Sequence, residues 1–460
     1  MIFGLEIKLI LKSRKSRFRQ RAINELTNKR FSPTLSLMYK TSKLSSGLRV
    51  LTAPCPGTDS VTALVFAGAG SRYEKESERG ISHFLEHMFF KGGKKYKNTR
   101  EVSVAIDGVG GDFNAFTGKE YAGYYVKVAA EHIDLGCDVL GDMLLNASFP
   151  QEDIERERGV IMEEERMYQD TPMYRAGWDF ERLLLGNHPL GWDTIGKEKV
   201  IMSVGQKDFQ LHKDLLYTPD NLVVSFSGNI TEDKVMDLAE KYFGKIDGKK
   251  EREFTPFDSY GDDRIFLRTK NTEQAHLVIG VPGINALDDD YFTQKLLSII
   301  LGGNMSSRMF LNVREARGLC YYISTEDDTY LDAGSFATRA GVDQSRLYEA
   351  IEAIKNEYMQ CAADGITDEE LKRAKDFLKG KITLSLEDSE ERAHFYGKQE
   401  LMYPKVRTVD DYFAEVESVS KEKVNELASR LLKSEEMRLV VIGKEEDEAK
   451  LQILVNGGGG

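Results

Sequence analysis

The chain repeats itself. The run LVFAGAGS at 64–71 returns as LVIGVPGI at 277–284, an offset of 213, and FPQEDIERERGVIMEEE returns as GITDEELKRAKDFLKGK at an offset near 217. Units of roughly 200 residues are domains and not the short modules of a solenoid, so the duplication demands one core built twice. Between the two anchors each copy reads strand, helix, strands, helix, with alternating runs such as LRVLTAP and YAGYYVKVAA set against amphipathic ones such as EHIDLGCDVLGDMLLN. The expected class is α+β: two homologous domains, each a mainly antiparallel sheet packed against helices.

The boundaries follow from composition. Residues 38–250 form the first domain and 264–450 the second. The linker is placed at 251–263, within the charged, Gly- and Pro-punctuated stretch that begins at Gly244. Residues 451–460 end in four glycines and read as a flexible tail. Residues 1–37 carry nine Lys/Arg against Glu6 and Glu25, a net of +7 in a chain of net −12, so the remainder stands at −19. That segment reads as disordered or as non-native sequence upstream of a start at Met38, with an organellar transit peptide or a surface-binding arm as the other readings.

A strongly acidic remainder disfavours nucleic acid and favours basic partners. No apolar run is long enough to span a bilayer. The scattered cysteines Cys55, Cys137, Cys320 and Cys361 form no CxxC pair, which fits a reducing compartment and argues against a thiolate metal site.

One segment stands out from its copy. In GISHFLEHMFFKG (80–92), His83, Glu86 and His87 occupy positions that the offset of 213 maps onto Leu296, Ile299 and Ile300. Histidines at i and i+4 project from one helical face at a spacing that can grip one ion, with Glu86 close enough to hold a water. Taken alone, the pair fits a helix with satisfied core histidines equally well. A third ligand shifts the balance: in EDIERERGVIMEEERMY the stripe Glu157, Val160, Ile161, Glu164 sets two carboxylates on an apolar face, where a free charge is costly. Glu163 and Glu165 point away from that stripe and are expected in solvent.

HFLEH followed by the glutamate of ERGVIMEE resembles the inverted zinc motif of the pitrilysin, insulin-degrading and mitochondrial-processing-peptidase family. The resemblance extends from about Met38 to residue 445 and includes GGDFNAFTGKEYAGYY, HPLGWDTIG, EQAHLVIGVPG and LGGNMSSRMFLNVREARGLCYY. It implies one zinc ion per chain held by His83, His87 and Glu164, with Glu86 as the catalytic base and Glu157 orienting a ligand histidine. It further implies that Arg314 and Tyr321 bind the substrate carbonyl, and that Asn114 and Ala115 lie on an edge strand that takes an extended peptide.

The implied protein is a metalloendopeptidase acting on unfolded, basic peptides inside a clamshell. Half-length relatives pair two chains, so a homodimer with composite sites is expected. A non-catalytic scaffold of the same fold, such as a core subunit of a respiratory complex, is the alternative. The expected setting is the bacterial cytoplasm, or the mitochondrial matrix if the basic N-terminus is a transit segment.

Overall fold

A computed structural model of the chain describes residues 38–445 and 447–456. The basic segment 1–37 and the terminal glycines lie outside them.

The first sheet comprises β1 (Lys40–Lys43), β2 (Arg49–Pro54), β3 (Ser60–Ala67), β4 (Asp112–Thr117), β5 (Ala122–Ala129) and β6 (Leu222–Gly228), in the order β1-β2-β6-β3-β5-β4. The second comprises β7 (Ile265–Thr269), β8 (Gln274–Pro282), β9 (Cys320–Thr329), β10 (Gly334–Asp343) and β11 (Arg438–Gly443), in the order β7-β11-β8-β10-β9. The pairing is parallel between β2 and β6 and between β7 and β11, and antiparallel from β6 through β3 and β5 to β4 and from β11 through β8 and β10 to β9. The duplication is therefore a duplication of topology, as the sequence repeat requires.

Helices of the first half are α1 (Ile81–Phe89), α2 (Thr99–Asp107), α3 (Ile133–Asn146), α4 (Gln151–Asp170), α5 (Pro172–Leu185), α6 (Glu198–Ile201), α7 (Gln206–Leu216) and α8 (Glu232–Phe243). Those of the second are α9 (Tyr291–Gly302), α10 (Leu347–Asp364), α11 (Asp368–Ser385), α12 (Ser389–Met402), α13 (Val409–Ser418), α14 (Lys421–Leu431) and α15 (Glu448–Asn456). Local chemistry marks their starts. Pro150 precedes α4, with Glu152 and Asp153 in its first turn, and a Thr367–Glu370 capping box opens α11.

The packing units do not coincide with the sequence blocks. Helix α5 leaves the first half and buries Ala176, Phe180 and Leu184 against Val278, Val440 and Ile442 of the second sheet. Helix α12, 217 residues later, makes the reciprocal move onto β3 and β6. There a Cβ at Gly397 would stand 2.5 Å from the Phe66 ring, so only glycine lets the helix approach so closely. Polar pins complete each crossing. Arg268 donates to both oxygens of buried Asp179 at 2.9 Å, and the Ser225 hydroxyl donates to the Ala393 carbonyl at 2.9 Å. The offset identifies α5 and α12 as equivalents, but periodicity marks only their apolar faces and not the sheet that covers them.

Two further expectations change. Residues 451–456, read as part of a tail, complete α15, whose Leu451 and Val455 are fully buried in the second core. The 251–263 segment holds no helix or strand, yet it is clamped: Arg252 pairs with Glu78, and the Phe254 ring lies 3.9 Å from the Arg72 guanidinium carbon. The four cysteines are buried and free. No helix among the described residues is long and apolar enough to cross a membrane.

Candidate metal centre

Helix α1 opens at Gly80, whose φ of +97° takes the left-handed turn that starts it, and whose N–H, with that of Ser82, is accepted by the buried Glu74 carboxylate at 2.8 and 2.9 Å. One face of α1 buries Ile81, Phe84, Leu85 and Met88. His83 and His87 emerge one turn apart beside that face, their ring centroids 4.8 Å apart.

Across from them, α4 presents Glu157, Ile161 and Glu164 inward. Val160, expected on the same stripe, is instead 47% exposed, because the covered arc of α4 is narrower than the apolar pattern suggests. Glu163 is exposed and paired with Arg166, while Glu165 is half-buried and accepts from Gln169, so only the first is solvated as expected.

The geometry converges on one oxygen. Glu164 Oε2 lies 3.6 Å from His83 Nε2 and 3.5 Å from His87 Nε2. Among the described residues this trio is the one group of three or more His, Cys, Asp and Glu side chains disposed to hold a metal ion, all donor atoms lying within 4.8 Å. Two imidazole nitrogens and a carboxylate are a zinc-type donor set, and they leave a fourth position open to water or substrate. His83 Nδ1 is buried without a hydrogen-bond partner, so the ring gains its polar interaction through Nε2 alone. The residues fit the ion.

Neighbours fix each member. His87 Nδ1 donates to Glu157 Oε2 at 3.2 Å, which leaves Nε2 as the ligating nitrogen. Glu157 Oε1 is in turn held by the Lys91 ammonium at 2.6 Å. Burial, followed by the charge of His87, lowers the His83 pKa to about 4 against the pull of Glu164. For His87 burial also acts downward, but hydrogen bonds to Glu157 and Glu164 outweigh it and lift the ring to about 9. Burial alone would raise the Glu164 carboxyl, but hydrogen bonds from His87 and Tyr168 and the charges of both histidines hold it below the usual carboxylate range. Glu86 is not part of the trio. Burial raises its pKa, and the Thr117 hydroxyl, donating to Oε2, partly offsets that.

Thr117, Lys91 and Tyr168 were not among the residues singled out from sequence. Tyr168 follows Glu164 by four on α4, the same stripe extended by one turn, so a longer reading of the pattern finds it. Thr117 has no such signal, since it reaches Glu86 from a strand in another part of the chain.

That strand, β4, ends the first sheet, and among the described residues nothing pairs with its outer edge. Asn114 is exposed, with its own carboxamide oxygen accepting the Ala115 N–H, and Ala115 is half-buried against the core. Arg314 and Tyr321 occupy the equivalent edge of the second half. Arg314 sits in a π-helical turn, Met309–Glu315, 4.5 Å over the Phe310 ring, and Tyr321 is the second residue of β9, with 77% of its surface exposed. Among the described residues neither makes a hydrogen bond or ion pair to the trio.

Residues 49–183 match the profile of the insulinase family, peptidase family M16, and residues 205–378 match the peptidase M16 inactive domain. The chain is 36% identical over 405 residues to the zinc protease YmxG of Bacillus subtilis, described as uncharacterized, covering 88% of this chain and 98% of that one. It is 34% identical over 412 residues to an uncharacterized zinc protease of Streptomyces coelicolor, covering 88% and 89%. Among solved structures, a protease from Helicobacter pylori superposes with a TM-score of 0.81 at 22% identity, over 88% of this chain and 99% of that one. A chain of the Candida albicans Complex III2 does so with 0.77 at 16%, over 90% and 99%; at such identities the likeness is one of fold. The two matched regions and the near-complete span of YmxG agree: the chain belongs to the insulinase family of peptidases, M16.

Proposed function

We propose that this protein is a zinc-dependent endopeptidase that hydrolyses unfolded peptides enclosed between the two chains of a homodimer. The observation that carries the reading is Glu86, a carboxylate on the ligand helix that belongs to no ligand set and is held in place by Thr117. The relatives' description as zinc proteases supports it.

His83, His87 and Glu164 would hold one ion per chain. Zinc supplies a Lewis acid that polarises a carbonyl and acidifies water when bound. Glu86 takes the proton of the attacking water and returns it to the leaving amine nitrogen, as its raised proton affinity suits it to do. Glu157 keeps His87 in the tautomer that presents Nε2. Asn114 and Ala115 offer a free strand edge on which an extended peptide adds by main-chain hydrogen bonds. Arg314 and Tyr321 of the partner chain complete the site by donating to the carbonyl oxygen as negative charge develops on it. Tyr321, largely exposed, and the half-buried Arg314 are open to a partner chain, which supports that division. The acidic bulk of the chain favours basic peptides, and the bacterial relatives favour a cytoplasmic setting.

The test is Glu86→Gln. It is expected to retain stoichiometric zinc by elemental analysis while peptide turnover falls about 10²- to 10⁴-fold. Near-normal hydrolysis would exclude the base assignment, and no hydrolysis by the wild type under any metal condition would favour a scaffold. Mixing Glu86→Gln with Arg314→Ala chains should restore part of the activity, and the absence of any rescue counts against composite sites.

A further inference from the structure

The β4–β5 and β9–β10 turns meet where the two halves join. Arg72 pins them there, pairing with Glu120 of one and with both oxygens of Asp332 of the other at 2.5 and 2.6 Å. Beside this junction lies a cavity of about 320 Å³ that takes in the end of β4, the end of β9 and the C-terminal turn of α12. Thr117 is in its wall, and the same side chain bonds Glu86, so the cavity borders the candidate base.

Most of its charged groups are committed. Lys119 lies 3.0 Å from Glu181 and also donates to the Trp192 carbonyl, while Glu120 pairs with Arg72 and accepts the Leu331 N–H. Among the described residues the Asp328 carboxylate accepts from the Ser335 hydroxyl at 3.5 Å and from no cation, and burial, then the charge of Glu181, push its carboxyl up to about 6, which weakens it as a counter-ion. Lys398 is the exception. Its ammonium is mostly buried and has no carboxylate within 4 Å among the described residues. It lies 4.9 Å from the Tyr121 ring centroid, with Tyr403 also close to it.

The Tyr121 hydroxyl is its hydrogen-bonding neighbour, and a cation that gives up most of its water for tyrosines with no carboxylate at hand is expensive, so one lining a cavity points to an anion that arrives from outside. Its placement is firm, because the adjacent Gly397 seats α12 directly on Phe66.

We propose that this cavity is a subsite for a carboxylate of the bound peptide, taken up by the Lys398 ammonium beside Tyr121 and Tyr403. The proposal rests on the peptidase reading and deepens it by naming a substrate feature. A peptide laid on the free edge of β4 reaches the cavity with the residue that passes Thr117, the last residue of the strand. The volume accommodates an acidic side chain or a chain terminus. The acidic exterior selects for basic peptides over long range, whereas this ammonium acts only at contact, so the two preferences apply to different parts of one substrate.

The test is a binding measurement on the zinc-loaded Glu86→Gln protein, read by fluorescence anisotropy with labelled, unfolded peptides. In one arm a single glutamate is walked along a basic peptide against a glutamine control; in the other a free C-terminal acid is compared with its amide. One walked position, or the free terminus, is expected to bind about 10- to 100-fold tighter than its neutral counterpart, and the responding arm identifies the source of the carboxylate. Lys398→Met should collapse that ratio to within about twofold, and Lys398→Arg should preserve it. No discrimination in either arm, no binding of any peptide, or a ratio unchanged in Lys398→Met overturns the proposal. Because binding is read without turnover, loss of wild-type hydrolysis would count against the peptidase reading and not against the subsite.

Discussion

Helices α1 and α9 are the same element of two copies, and they differ in one respect. In α9, Leu296, Ile299 and Ile300 are at most 7% exposed, buried in a core shared with Val424 and Leu371. In α1 the equivalent His83, Glu86 and His87 face a gap between α4 and the edge strand β4. The second copy shows that this helix needs no polar residue to fold. The first keeps two imidazoles and two facing carboxylates partly desolvated, a cost that their mutual pairing and Lys91 offset within the chain and that a bound ion would offset further.

The sharpest way to break this comparison is to make α1 into α9. The triple change His83→Leu, Glu86→Ile, His87→Ile should abolish zinc binding and peptide hydrolysis, a loss beyond about 10⁴-fold, while the circular-dichroism spectrum and cooperative melting persist. If that variant fails to fold, the histidines are structural and the comparison falls. The complementary change is Leu296→Ala, which opens a cavity in α9 and should cost about 2–5 kcal/mol by urea denaturation, with zinc content unaffected. A loss well under 1 kcal/mol would mean the second core is not packed as described.

The start of α1 offers a pH test. Burial raises the Glu74 carboxyl to about 7, against the backbone N–H bonds it accepts, while the unfolded chain titrates near its ordinary 4.5. Between those values the folded state holds the proton and the unfolded state does not, so stability falls as pH rises from about 4.5 to about 7, by up to ~3 kcal/mol. Glu74→Gln should remove that slope in denaturation curves measured at several pH values, and an identical slope in both proteins refutes the assignment. The smallest expected effect is that of Glu157→Gln. It loosens the hold on His87 and should weaken zinc binding about 10- to 100-fold in a chelator competition, with α4 intact. An unchanged affinity would show that His87 needs no orienting partner.

Much of the site was legible in the chain because its parts are local. The i, i+4 spacing of His83 and His87 is a helical fact, and Glu157 and Glu164 betray themselves as charges on an apolar stripe. The stripe overreached at Val160, since hydrophobicity marks a residue as tolerable inside and does not fix the width of the covered arc. Thr117 and Lys398 were invisible for a different reason: each acts through a neighbour on another element, and no periodicity records that neighbour.

By itself the sequence determined that one sheet-and-helix unit is built twice, that one copy carries the polar helix, and which carboxylates would face it. Tertiary structure alone decided that α5 and α12 cross to the opposite sheets, that Thr117 reaches Glu86, and that the junction of the halves sets the Lys398 ammonium in a cavity beside tyrosines, with no carboxylate partner among the described residues. The division has a physical cause. Apolar periodicity encodes which side of an element must leave water, whereas the partner that covers it is settled by shape and close approach, as at Gly397 against Phe66.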